Sequence, residues 1–95
     1  MSDPTILILA SLADGDKHGY AIMEDIQVFA AIRLGPGTLY GAIRRLEQSG
    51  WIRPIKSASR RQPYRITPEG GRHLKEQLAL LGQVVRTGNR RMREA

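Results

Sequence analysis

The segment GPGTLYGAIRRLEQSGW, residues 35–51, has the pattern of an amphipathic helix that carries glycines near its beginning. Its large apolar residues recur at helical spacing. Pro36 suits the first position of a helix, because its missing N–H would have no partner there. Ser49-Gly50 then marks the end of the helix. The pattern predicts a helix from Pro36 to Gln48, and its inward stripe consists of Leu39, Ala42, Ile43 and Leu46.

The glycines of this helix fall on the side opposite the apolar stripe. On a helical wheel of about 100° per residue, Gly37 and Gly41 point away from the stripe, followed by Arg44 and Gln48. A helix front without side chains lets the backbone approach phosphates and base edges, and a helix N-terminus favours negative charge. Arg and Gln are residue types that read guanine and adenine edges. The pattern therefore predicts a DNA-binding helix that uses Gly37, Thr38, Tyr40, Gly41, Arg44, Arg45 and Gln48.

Two residues on the flanks of this face have alternative roles. Tyr40 could instead be a partly buried aromatic that closes the edge of the core. Arg45 could contact a phosphate, or it could form an ion pair on the side of Glu47. Both alternatives stay open at the level of sequence.

The charge of the chain is unevenly distributed. The net charge is +6 over 95 residues, yet residues 1–32 hold five acidic side chains against one Lys. From Arg33 onward, 14 Lys or Arg stand against four Glu. Arg outnumbers Lys by 12 to 3, and its planar fork suits phosphate and guanine. A basic face can be merely solvated, but this concentration of charge favours a nucleic-acid partner.

Length and composition narrow the class of protein. A chain of 95 residues predicts one small domain with a limited core, part of which a second copy can complete. The longest apolar run, Ile6 to Ala10, is too short to span a bilayer, and no basic segment precedes it. With no cysteine, disulfides and thiolate metal sites are absent. We expect a cytoplasmic protein without membrane contact.

No residues predict an enzyme. A catalytic site would need a nucleophile with a base, paired carboxylates or a metal cluster. Asp14, Asp16 and His18 could bind a metal weakly, but a loop and cap before a helix explain them better. His73 stands alone in the sequence. We therefore expect no catalytic residues, no cofactor and no metal site.

The first third of the chain predicts two more helices. The first is capped by Ser2 or Asp3 and begins at Pro4, and it is apolar almost all round, so it should form the buried centre of the domain. Asp16 can cap the second helix, and residues 32–34 form a brief extended piece before the third. The predicted inward residues are Ile6, Leu9 and Leu12 in the first helix and Ile22, Ile26 and Phe29 in the second.

A hairpin is predicted after the third helix. Apolar and polar residues alternate over residues 51–56 and again over 64–67, with a polar loop at 57–62 between them. Pro63 belongs at the beginning of its strand or on an edge. Three helices followed by a hairpin is the order of a winged helix-turn-helix, in which the third helix enters the major groove and the wing reaches flanking DNA. The predicted wing contacts are Ser59, Arg60 and Arg61.

The last predicted helix has a seam for a partner. Thr67 caps it, Pro68 is its first residue, and it runs to the C-terminus with an Arg-rich end that we expect to fray. Its apolar residues have heptad spacing, which is typical of helix pairing. Packing on the chain's own domain is the alternative, but we favour a homodimer. The predicted interface is Leu74, Leu78, Leu81, Val85 and Met92.

The sequence resembles the PadR-like transcriptional regulators over nearly its whole length. The matching segments are KHGYAIMEDI at 17–26, LGPGTLYGAIRRLEQSGWI at 34–52 and RRQPYRITPEGGRHL at 60–74. The resemblance implies a winged helix-turn-helix dimer that represses transcription and exchanges its last helix with its mate. It also implies that small aromatic or drug-like effectors sometimes release the DNA. The single C-terminal helix looks like the short-tailed branch of the family, with little chain left for a separate effector domain.

The resemblance also assigns roles by position. Thr38 and Tyr40 fall where the third helix of the family meets DNA, and Arg60 and Arg61 fall on its wing. The HGY triplet at 18–20 looks mainly structural, with its tyrosine near the DNA backbone. The wing departs from the family pattern, because it has little glycine and carries Pro63 in place of a second aromatic.

These observations together predict a mainly α fold with a small β-hairpin. Residues 1–67 would form a winged helix-turn-helix domain and residues 68–95 a dimerisation helix. We expect a sequence-specific regulator of transcription, a repressor, that binds a pseudo-palindromic operator in double-stranded DNA as a homodimer. The alternative is a winged helix that binds only protein, against which Arg44 and Arg45 argue. RNA stays open as a partner at the level of sequence, although the sheet-borne aromatics typical of RNA modules are not evident.

Overall fold

The computed structural model describes residues 3–95 and is mainly helical, with a small antiparallel sheet. This confirms the predicted fold class, with one strand more than the expected hairpin. The helices are α1 (Thr5–Leu12), α2 (Gly19–Ala30), α3 (Pro36–Gln48) and α4 (Pro68–Glu94), and the strands are β1 (Lys17–His18), β2 (Ile52–Pro54) and β3 (Pro63–Ile66).

The sheet has three strands in the order β1-β3-β2, so the second strand of the hairpin lies in the middle. β1 pairs antiparallel with β3, with His18 opposite Pro63. β2 pairs antiparallel on the other side, with Ile52 opposite Ile66. Pro63 is the first residue of its strand, as its missing N–H requires. β1 escaped prediction because two residues are too few to show an alternating pattern.

The beginning of α1 differs from the prediction by one residue. The helix begins at Thr5 rather than at Pro4. The Asp3 carboxylate accepts hydrogen bonds from the Thr5 N–H at 3.0 Å and from the Thr5 hydroxyl at 2.7 Å. Pro4 occupies the N-cap position, so Asp3 is not the predicted cap but stabilises the start of the helix from the residue before it; Ser2, the other predicted cap, lies outside the described residues.

The prediction that Asp16 caps α2 was wrong. His18 is the cap, and its Nδ1 accepts the backbone N–H of Ala21 at 3.2 Å. Asp16 instead accepts two hydrogen bonds from Arg65 of β3, Nε at 2.9 Å and Nη2 at 2.8 Å. The Arg65 guanidinium holds the pKa of Asp16 below its usual range. Arg65, which is distant in the sequence, therefore engages the Asp16 carboxylate, and His18 takes the cap position.

The core forms around α1, in which Ile8 and Leu9 are fully buried. The predicted stripe of α3 is buried in full. On α2 the prediction failed for Phe29, which is 49% exposed, whereas Ile32 and Leu34 of the following connection pack against the core. That connection is irregular rather than a strand. The buried apolar side chains are Leu7, Ile8, Leu9, Leu12, Ile22, Ile26, Leu39, Ala42, Ile43, Leu46, Ile52, Tyr64 and Leu74.

The first turns of α4 are fixed to the turn that follows α3. Thr67 caps α4 by accepting the Gly70 N–H at 3.1 Å, and its hydroxyl donates to the Gly50 carbonyl at 2.6 Å. Its backbone N–H donates to the Trp51 carbonyl at 3.0 Å. The rings of Trp51 and His73 stack with their centroids 3.9 Å apart. The beginning of α4 is therefore part of the same packed unit.

The rest of α4 leaves that unit as a long single helix. Its 27 residues correspond to about 40 Å, which accounts for most of the 55 Å longest dimension of the molecule. The helix continues to Glu94, so the expectation that the Arg-rich end frays was wrong. Arg90 and Glu94 form an i,i+4 pair there.

Candidate nucleic-acid interface

The outward face of α3 is open along its glycines. A Cβ added at Gly37 would meet no atom within 4 Å, and one at Gly41 would meet only Nη1 of Arg45 at 4.0 Å. Arg44 and Gln48, which follow on the same face, are exposed. Packing within the chain therefore requires neither glycine, and the front of the helix offers its backbone directly to a partner.

Tyr40 connects α3 to the beginning of α2. Its side chain is 42% exposed, and its phenol covers Gly19, where an added Cβ would lie 2.5 Å from the Tyr40 hydroxyl. The glycine of the HGY triplet thus makes room for the Tyr40 ring. Tyr40 closes an edge of the fold and still presents part of its ring to solvent. Thr38, two residues earlier on the same helix, is exposed.

Arg45 lies beside Gly41 on α3, since its Nη1 is 4.0 Å from where a Cβ of Gly41 would be, and its charge also reaches Asp3 near the beginning of the chain. The hydrogen bonds from Thr5 are the main cause that lowers the pKa of Asp3, and the positive charge of Arg45 adds to this effect. Among the ion pairs found in residues 3–95, none joins Arg45 to Glu47. The Arg45 side chain is exposed, which leaves it able to meet a phosphate beside the main face.

The wing loop has a defined shape. The Ser57 hydroxyl accepts the Ser59 N–H at 3.1 Å, and the Ser59 hydroxyl accepts the Arg61 N–H at 3.2 Å. At the base of the loop, the Gln62 amide donates to the Ile55 carbonyl at 2.9 Å. Ser59, predicted as a DNA contact, thus also orders the loop that carries both arginines.

The two wing arginines are placed differently. Arg60 is exposed on the loop. Arg61 points back toward α2, where its Nη1 lies 3.2 Å from Nε2 of His18. Its guanidinium carbon is 5.8 Å from the centroid of the Tyr20 ring, within cation–π range. Sequence reasoning treated His18 as mainly structural and missed this contact, because it joins residues 43 positions apart.

The predicted interface residues of α4 fall into two groups. Leu74 is 6% exposed and belongs to the core of its own chain. Leu78, Leu81, Val85 and Met92 are exposed. Leu80 and Val84, which the heptad pattern did not include, are exposed as well. The apolar surface of α4 is therefore wider than the predicted seam.

The weak metal-ligand candidates of the sequence have other partners. Asp14 pairs with Lys17, and Asp16 pairs with Arg65. Within residues 3–95, no group of three or more His, Asp or Glu side chains could hold a metal ion. In the same range, no helix combines the length and apolar character needed to cross a membrane.

The family comparison agrees with this geometry. A family model described as the transcriptional regulator PadR-like family matches residues 8–76, from α1 into α4. The chain belongs to the PadR-like family. This confirms the resemblance drawn from the three sequence segments, and with it the class of transcriptional regulators.

Relatives of this PadR-like chain include one protein of Mycobacterium tuberculosis and one of Streptomyces fradiae. It is 32% identical over 82 residues to the transcriptional regulator Rv3488 of Mycobacterium tuberculosis, covering 83% of this chain and 76% of the relative. It is 46% identical over 69 residues to an uncharacterized 37.1 kDa protein in transposon TN4556 of Streptomyces fradiae. That match covers 73% of this chain but only 20% of the Streptomyces protein.

Solved structures share the same fold. A PadR family transcription regulator from Clostridium difficile superimposes with a TM-score of 0.82 at 27% identity, over 90% of this chain and 94% of that one. A winged-helix DNA-binding protein, F93 from STIV, gives a TM-score of 0.81 at 18% identity over 90% and 94%. The second likeness concerns the fold alone, and the two together identify it as a winged helix.

Proposed function

We propose that this PadR-like protein is a sequence-specific DNA-binding regulator that represses transcription as a homodimer. In the complex, α3 of each copy lies in the major groove and the wing loop contacts flanking DNA. The two α3 helices lie about one turn apart, near 34 Å, on a pseudo-palindromic operator. Release of the operator by a small aromatic effector remains an expectation from the family resemblance.

The outward face of α3 carries this proposal. Its glycine front leaves space for a phosphate or base edge, and the exposed Arg44 and Gln48 behind it match the donor and acceptor pattern of bases. All large apolar residues of α3 other than Tyr40 are turned inward. Arg44 and Gln48 behind a bare helix front therefore favour DNA over a purely protein partner.

The proposal predicts different effects for Arg44 and Arg61. Arg44→Ala should cost about 1–3 kcal/mol at one base pair of each half-site and relax the preference there. Arg61→Ala should weaken binding to all sequences about equally and lower the salt slope by about one. Fluorescence anisotropy at several salt concentrations, on a duplex selected from a random pool and on its single-base variants, measures both effects. Unchanged affinity and base preference in Arg44→Ala would contradict the assigned reading face.

The homodimer is proposed from the exposed face of α4. A chain of this size has little core of its own, and exposed apolar groups that are contiguous along a helix mark an interaction surface. Leu78, Leu81, Val85 and Met92 keep heptad spacing, and Leu80 and Val84 widen the face. A second copy of α4 presents the same spacing in return, so the interface can be self-complementary.

Light scattering after size exclusion should give twice the chain mass of 10.6 kDa at micromolar concentration. Leu81→Glu should shift the protein to monomer, because a carboxylate would be buried at the seam. Ala79→Glu is the matched control, since Ala79 is exposed and lies about 160° around the helix from Leu81. A wild-type protein that is only monomeric, or equal effects of the two variants, would rule out this interface.

A further inference from the structure

In the contact between His18 and Arg61, two hydrogen-bond donors face each other. Nδ1 of His18 accepts the Ala21 N–H at 3.2 Å as the cap of α2. A neutral imidazole has one acceptor nitrogen and one N–H, so the proton of this ring is on Nε2. Nε2 is the atom that lies 3.2 Å from Nη1 of Arg61, and a guanidinium has no acceptor. The two groups cannot bond to each other and are both left with hydrogens to donate.

An anion that accepts from both groups removes this conflict. An oxyanion can take one hydrogen bond from a guanidinium and another from a neighbouring N–H, and bonds of this kind are short and strong because charge assists them. The centroid of the Tyr20 ring lies 5.8 Å from the Arg61 guanidinium carbon, within cation–π range. Tyr20 thereby restrains the guanidinium beside His18 before any anion arrives.

The position of the pair selects the anion. β1 holds His18 opposite Pro63 at the base of the wing, and Tyr40 reaches Gly19, the residue next to His18, from α3. The pair therefore lies between the predicted reading helix and the wing. Backbone phosphates are the oxyanions that duplex DNA presents at such a position.

We propose that His18 and Arg61 together bind one phosphate of the DNA backbone, with His18 Nε2–H and the Arg61 guanidinium as joint donors. This inference rests on the proposed function, since it assigns a ligand to two residues beside the same interface. It makes His18 a direct DNA contact in addition to the cap of α2, and Arg61 a fixed clamp rather than a free charge of the wing.

Single methylphosphonate replacements along a duplex selected from a random pool test the shared phosphate. Neutralising that one phosphate should cost the wild-type protein about tenfold in affinity and cost Arg61→Ala and His18→Asn much less. Asn is chosen because its side-chain oxygen can still cap α2 while it lacks the reach of Nε2. Arg60→Ala is the matched control and should keep the wild-type sensitivity at that phosphate.

The contributions of Arg61 and His18 should also differ in how strongly DNA affinity depends on salt concentration. Arg61→Ala should lower the slope of log affinity against log salt by about 0.9, whereas His18→Asn should weaken binding about fivefold with the slope unchanged, because a neutral ring releases no counterion. Thermal melts by circular dichroism verify that the variants fold. If His18→Asn does not fold, the methylphosphonate scan on Arg61→Ala and the protonation state of His18 in NMR spectra test the shared phosphate instead.

Long-range ¹H–¹⁵N spectra show which ring nitrogen of His18 carries the proton, with His73 as internal reference. The free protein should show His18 protonated on Nε2, and the selected duplex should move that signal in the wild type and less in Arg61→Ala. Protonation on Nδ1, or no single phosphate to which both variants lose sensitivity, would overturn the shared site while leaving DNA binding in place. Failure of the wild type to bind any duplex would overturn the proposed function, and this inference with it.

Discussion

The Gly70→Ala variant is expected to lose about 3 kcal/mol or more of its free energy of unfolding, at the upper end of what overpacking costs. The added Cβ would lie 2.0 Å from the Trp51 carbonyl oxygen and 2.9 Å from its carbon. Both are backbone atoms, so no change of rotamer relieves the overlap. Moving α4 away would break the bond from Thr67 to the same carbonyl and the stacking of His73 on Trp51. Urea unfolding followed by circular dichroism measures the loss.

The neighbouring glycine supplies the control for this prediction. Gly71 also lies in α4, and a Cβ there would meet no atom within 4 Å. Gly71→Ala should therefore gain up to about 1 kcal/mol from helix propensity alone. A small domain is stable by only about 5–15 kcal/mol, so the two variants should differ plainly in urea midpoint. Equal midpoints would mean that α4 is not held against the Trp51 carbonyl.

The second large effect is expected at Gly41, in DNA binding rather than in stability. Gly41→Glu should weaken binding to the selected duplex by about 100-fold or more, because it places a carboxylate against the phosphates and like charges at an interface cost several kcal/mol. The variant should remain folded, since the position is open. Gly41→Ala should affect stability and DNA binding in opposite directions. Its helix should be more stable by up to about 1 kcal/mol, and its affinity for the duplex should be lower. Anisotropy titration and urea unfolding measure them in parallel.

Gly71→Glu controls for the added charge. It places the same carboxylate at another open helical glycine, on α4 rather than on the reading face. Its affinity for the duplex should stay within a few-fold of the wild type, as expected for a charge screened beyond about 10 Å. If Gly41→Glu binds as tightly as Gly71→Glu, the front of α3 does not face DNA.

The elements that sequence predicted well are those with a complete local pattern. α3 has a proline at its start and four apolar residues at helical spacing, and all four are buried. The cap of α2 could not be chosen in the same way, because Asp16 and His18 are both able to cap. Arg65, 49 residues away in the sequence, takes the carboxylate and leaves the cap to His18. Local propensity cannot rank two such candidates when a distant residue decides between them.

The candidate site shows the same division. The glycine front of α3 follows from a helical wheel, because open positions need no knowledge of neighbours. The pairing of His18 with Arg61 depends on a strand of two residues that brings α2 to the wing. On α4 the apolar spacing was readable, but Leu74 is buried in its own chain, because the contacts of Thr67 and Trp51 fix the first turns of the helix to the domain. Tertiary contacts, and not the heptad spacing, therefore determine that the first apolar residue of the seam is buried and the later ones are exposed.

Selection of bound duplexes from a random pool by the whole chain, at a stated salt concentration, tests the central claim that α3 reads DNA. We predict enrichment of a pseudo-palindrome whose half-sites lie about 10 base pairs apart, and loss of that enrichment in the folded Gly41→Glu variant. A pool that stays unenriched, or that Gly41→Glu enriches equally well, would contradict the claim.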